Sequence, residues 1–219
     1  MCFSENGSLL IGTVGILSGI YFYYTKHVYA SIGICYFALM EILQFFQYRV
    51  IDQCSNDYNK FLTIIGYIHI CFQPLFINIW LFEFTKNPNF LFLYMSFFAG
   101  LLLLSRIVFV KDDDLCNENE PLCGKRTCSF SGKRHIAWNI RMRSPAKYWF
   151  TPSMGLHCFM WIMPALLSFQ FKPILAMLIS MPYIPYILNG GIWSNIHEHA
   201  AIWCYTEIAQ LIVTFILLR

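Results

Sequence analysis

Charged residues are scarce in this chain: Asp, Glu, Lys and Arg make up 12% of 219 residues, against 58% hydrophobic and 18% aromatic. A soluble domain carries about twice that charged fraction. Too few charges remain to cover a water-facing surface, and lipid is the solvent that fits. A long polar linker is missing as well, so a single domain spanning 1–219 is expected. The chain has no Walker loop, no GxGxxG after a strand, no GxSxG elbow and no His-Glu-x-x-His, and nothing in it supports nucleic-acid binding. The opening Met1-Cys2-Phe3-Ser4-Glu5 lacks the basic start of a cleaved signal peptide, so the first apolar run is expected to stay as a helix.

What is there is apolar sequence in long runs. A helix needs roughly 20 mostly apolar residues to cross about 30 Å of hydrocarbon with its backbone satisfied internally. Such runs place helices at 9–24, 28–50, 61–84, 90–110, 153–169, 173–188 and 200–218. The expectation is an all-α polytopic transmembrane bundle of seven spans, or six if the short fifth and sixth runs form one re-entrant pair. Pro74, Pro164, Pro182 and Pro185 fall inside these runs and remove helical hydrogen bonds, which produces kinks.

With seven spans, one side of the membrane receives ten Lys and Arg, in its loops or at the helix ends, and the other four. The positive-inside rule makes the ten-residue side, here side A, cytosolic, with the N-terminus in and the C-terminus out. Cys54, Cys116, Cys123 and Cys128 fall on the same side, and clustered loop cysteines otherwise point to disulfides in an oxidising compartment. If side A is cytosolic they are free thiols or metal ligands instead.

The substantial polar region is 111–151. Its first half is acidic, and in its basic second half Lys and Arg alternate with Ile136, Trp138, Ile140, Met142, Tyr148 and Trp149. That pattern describes either a segment lying on anionic lipid headgroups or a solvated loop whose aromatics belt the membrane. Gly15 and Gly19 in the first run have the spacing that lets helices approach closely. Packing within the bundle is the reading taken, and a homo-oligomer is the alternative.

Ionisable groups at membrane depth are costly and usually face the interior of a bundle. The second run carries Glu41, Gln44, Gln47 and Tyr48; the third carries Thr63, Gly66, His69, Gln73 and Asn78; the last carries Trp203, Glu207 and Gln210. At about 1.5 Å per residue, Glu41, His69 and Glu207 fall near one level of the bilayer. Three polar faces at one depth predict a buried polar cavity of Glu41, Gln44, His69, Gln73, Glu207 and Gln210. A zinc-like ion held by His157, His197 and His199, with Glu207 or Glu41 as base, is a second arrangement these residue types allow. Cys116, Cys123, Cys128 and His135 are spaced too widely for a zinc knuckle.

Three pieces of the chain look familiar: Met1-Cys2-Phe3-Ser4, His69-Ile70-Cys71-Phe72-Gln73-Pro74-Leu75-Phe76 and Ile202-Trp203-Cys204. They resemble an uncharacterised family of small polytopic membrane proteins that begin Met-Cys-Phe-Ser, which implies a membrane bundle and no particular chemistry. A second likeness is to the seven-helix membrane hydrolases that include alkaline ceramidases and adiponectin receptors. That likeness implies zinc on an early-helix histidine, here His69, and on a His-x-x-x-His pair in the last helix. The chain departs from the pattern, because His197 and His199 are two apart.

Three functions are therefore open: an ion, proton or small-solute channel or transporter using Glu41, His69 and Glu207; an intramembrane metal-dependent hydrolase acting on a lipid; and a structural or assembly protein.

Overall fold

Small polar residues, not the ends of the apolar runs, set where the helices begin. The computed structural model describes residues 4–85, 89–133, 135–144, 157, 159–161, 163, 167, 195–198 and 204–218. Ser4 caps α1 (Glu5–Tyr24) by accepting from the Gly7 amide at 3.2 Å. Asn56 caps α3 (Asp57–Phe82) through Tyr58, and Asn89 caps α4 (Phe90–Leu104) through Leu91. Side-chain oxygens here satisfy amides that have no partner inside the helix, so α1 and α3 start about a turn before their apolar runs. Between them, α2 (Val28–Tyr48) receives its cap from a neighbour: the Glu83 carboxylate accepts from the Tyr29 and Ala30 amides at 3.1 and 3.2 Å and pairs with His27. The last described helix is α5 (Cys204–Leu217).

Consecutive helices α1 to α4 pack side by side, and α5 lies against α2 and α1. Gly12, Gly15 and Gly19 of α1 are buried in its seam with α2, so the small-residue spacing serves packing inside the chain. Leu10, Leu17, Phe61, Phe98 and Ile216 face outward uncovered, as side chains solvated by lipid tails do.

The fold is mostly helical, and among the described residues four helices are long and apolar enough to cross a membrane. Seven spans are not supported. The described part of α5 is 14 residues, about 21 Å at 1.5 Å per residue, and residues 199–203 before it lie outside the described residues. The expected spans at 153–169 and 173–188 lie outside the described residues, except that His157, Phe159 to Trp161, Met163 and Leu167 are helical.

The all-α expectation is also corrected. Within 111–151, β1 (Cys128–Ser131) pairs antiparallel with β2 (Ile136–Asn139). Disulfides Cys54–Cys128 and Cys116–Cys123 staple this hairpin to the α2–α3 turn and close the loop before it. The alternating apolar residues Ile136, Trp138, Ile140 and Met142 are at most 1% exposed. They point into the bundle end beside Met40, Tyr67, Ile70 and Leu103. Trp138 reaches Gly66 of α3 so closely that a Cβ there would strike its ring. Asn59 exchanges hydrogen bonds with the Ser129 backbone, and the Thr63 and Ser129 hydroxyls meet at 2.7 Å. The segment is thus a folded cap on the side-A end of the bundle.

Candidate functional site

The polar face of α2 presents Glu41, Gln44 and Gln47 one turn apart, each fully buried. From α5 come Glu207, Gln210 and Thr214, at most 2% exposed. They meet on the α1–α2 seam. A Cβ added at Gly15 would strike the Glu207 Oε1 atom and would lie 2.7 Å from the Ala38 Cβ. Ala38 is one turn before Glu41, so Glu41 and Glu207 lie within electrostatic reach of one another as like charges, and the buried Ser8 hydroxyl of α1 is a polar neighbour of Glu41.

Among the described residues neither carboxylate has a basic partner. Ser8 Oγ, both oxygens of Glu41 and Glu207, and both amide atoms of Gln44 and Gln210 are buried without a hydrogen bond among those residues. Gln47 is half satisfied, donating to the Leu62 carbonyl at 3.1 Å and leaving its oxygen unpartnered. Buried polar atoms are normally paired, and this seam gathers ten that are not, counting the Gln47 oxygen, on three adjoining helices.

His69 stands apart from this cluster. Its Nε2 donates to the Tyr36 carbonyl at 2.7 Å, Tyr36 Oη donates to the His69 carbonyl at 2.6 Å, and the two rings stack at 4.0 Å. The α3 stripe read from the spacing does several separate jobs: Thr63 and Gly66 hold the cap, His69 fastens α3 to α2, and Asn78 bonds Ser96 of α4 and the Met160 carbonyl. Gln73 is buried with its oxygen unpartnered.

His157 also has a local task. Pro74 has no amide hydrogen, so the Ile70 carbonyl four residues earlier loses its helical donor; His157 Nε2 donates to it at 2.7 Å. His197 sits in the cap, on a short turn Ile196–Glu198 against β2. Burial pulls its imidazole below the ordinary value, while the carbonyl and carboxylate of Glu118 oppose that shift. His199 lies outside the described residues. No group of three or more His, Cys, Asp or Glu able to hold a metal ion occurs among the described residues, and the loop cysteines, open in the sequence between disulfides, free thiols and ligands, are paired as disulfides.

Ser8 and Gly15 were not legible as site residues. The Gly15 spacing showed that α1 comes close to a neighbour, but a glycine does not announce which side chain fills the room it leaves.

These features define a class, a helical bundle with four helices, among the described residues, long and apolar enough to span a membrane, closed at one end by a disulfide-stapled cap. Within it, the chain belongs to DUF5765, a family of unknown function whose model matches residues 6–218. That agrees with the expected membership of an uncharacterised family and carries nothing on the hydrolase likeness. No curated protein and no solved structure matches the chain.

Proposed function

We propose that this is an integral membrane protein that binds and passes a small cation or a proton at a polar cavity formed by Glu41 and Glu207, with Gln44, Gln210 and Ser8 as accessory oxygens. One observation carries the reading: two carboxylates lie within electrostatic reach of one another in the bundle with no basic partner among the described residues. A single acidic residue at the centre of a membrane helix costs about 3 kcal/mol, and two neighbouring ones repel. Each must hold a proton or share a cation. Carboxylate, amide and hydroxyl oxygens are hard ligands, so a metal occupant belongs to the hard cations and not to zinc. The hydrolase reading needs a histidine metal set, which the described residues do not supply. A purely structural reading is disfavoured by the orphaned atoms, because side chains kept only to glue helices would bond one another.

The test is flux. In proteoliposomes the wild type moves protons or a hard monovalent or divalent cation, and Glu41→Gln or Glu207→Gln lowers that flux at least about tenfold, the loss of one strong charge-mediated contact, while thermal stability is kept or raised. Flux indifferent to both substitutions ends the proposal.

Sidedness follows from the cap. The Lys and Arg asymmetry favours a cytosolic side A, whereas two disulfides in the cap favour an oxidising compartment. We read the cap as facing the oxidising side, since a reducing cytosol would not keep both bridges. In sealed oriented membranes, an impermeant maleimide added after an impermeant reductant then labels Cys54 from outside the cytosol; labelling from the cytosolic face alone contradicts it.

A further inference from the structure

A pocket of about 380 Å³ lies in the cap, far in composition from the carboxylate cluster. Its lining includes residues of both disulfides, Cys54, Cys123 and Cys128, together with Lys125, Arg126 and His197 and one acid, Glu118. Two facts give it chemistry. The His197 Nδ1 atom is buried and has no hydrogen-bond partner among the described residues, so the ring offers an acceptor to an incoming donor. The Cys54–Cys128 bridge is asymmetric in access: Cys54 is exposed and Cys128 is 2% exposed. Lys125 pairs with Glu118 at 3.4 Å, and Arg126 has no ion pair among the described residues, so the pocket mouth keeps positive charge.

We propose that this pocket is a thiol–disulfide exchange site for an anionic low-molecular-weight thiol. The thiol gives its S–H proton to His197 Nδ1, and Lys125 and Arg126 hold the anionic end. The thiolate attacks the exposed Cys54 Sγ along the S–S axis, forming a new S–S bond as the Cys54–Cys128 bond breaks. The electron pair leaves on Cys128 Sγ, which takes the proton back from the imidazolium. One disulfide is consumed and one mixed disulfide formed, so no further oxidant is required. Cys116 and Cys123 are 7% and 1% exposed, so their bridge survives. Exchange releases β1 from the α2–α3 turn, while the hydrogen bonds of Asn59 and Thr63 to Ser129 keep the cap seated.

Other charged groups around His197 are few. Glu118, Lys125 and Arg126 line the same pocket, the paired strands contribute none, and its neighbour Glu198 is engaged by the Lys133 amide.

The test uses full-length protein in detergent, pulsed with mercaptoethanesulfonate, 2-mercaptoethanol or cysteamine, then acid-quenched, alkylated and mapped by mass spectrometry. The expected adduct is on Cys54, forming fastest, per thiolate, with the anionic reagent and slowest with the cationic one. Lys125→Ala with Arg126→Ala, both exposed, shrinks the anionic-to-cationic rate ratio roughly threefold or more. His197→Gln slows the reaction at neutral pH, and the wild-type-to-variant ratio falls to one as the pH drops well below about 6.5, where the imidazole is already protonated. Adducts on Cys116 or Cys123, no adduct at all, or Cys54 rates blind to reagent charge and to His197 overturn the proposal.

Discussion

At Gly15 a single hydrogen atom makes room for a carboxylate. Any Cβ there meets Glu207 and Ala38, so Gly15→Ala must push α5 or α1 aside. We expect a loss of about 1–3 kcal/mol, the usual cost of overpacking a tight site, read as a lower midpoint of thermal unfolding in detergent. Shortening the acid with Glu207→Asp in the same chain returns part of it. If the two substitutions add independently, Glu207 does not occupy the gap. At this scale the polar helix faces that carry Glu41 and Glu207 were legible, because both residues are buried where helical spacing placed them. His69 was assigned to the same cluster because helical spacing states which face a residue shares, not which neighbour claims it. Tyr36, an ordinary aromatic in an apolar run, gave no signal that it would engage both the ring and the carbonyl of His69.

Among the elements, α3 has the most varied duties. Pro74 breaks its backbone ladder, and His157 supplies the missing donor to Ile70 from another part of the chain. Replacing His157 by Ala leaves that carbonyl buried without a donor, a cost of about 1–3 kcal/mol. In a Pro74→Ala background the restored amide can donate to Ile70, so the same substitution becomes milder by about 1 kcal/mol. Equilibrium unfolding of the four proteins in the cycle measures this coupling, and strict additivity contradicts it. Helices were the most legible elements, since α2 runs over Val28–Tyr48 where hydropathy placed 28–50. The hairpin was not legible. Alternating basic and apolar residues fit a strand that buries every second side chain as well as a segment lying on headgroups. The pairing of Cys54 with Cys128 across 74 residues has no sequence signature either.

Across the whole molecule, composition announced helices apolar enough to cross a membrane, but not how many. Apolar runs count candidate helices without stating which of them reach both faces. The arrangement that results has a polar seam among α1, α2 and α5, and a disulfide-stapled cap on the α2–α3 end. Its central claim is that Glu41 and Glu207 act together as the seat of a proton or cation. Infrared difference spectroscopy of the protein in lipid reads those groups directly. Raising pH or adding a hard cation should remove a protonated-carboxyl stretching band in the wild type, and Glu41→Gln with Glu207→Gln should abolish that change. A carboxyl band that ignores both pH and cations, or one that persists in the double variant, would contradict the account.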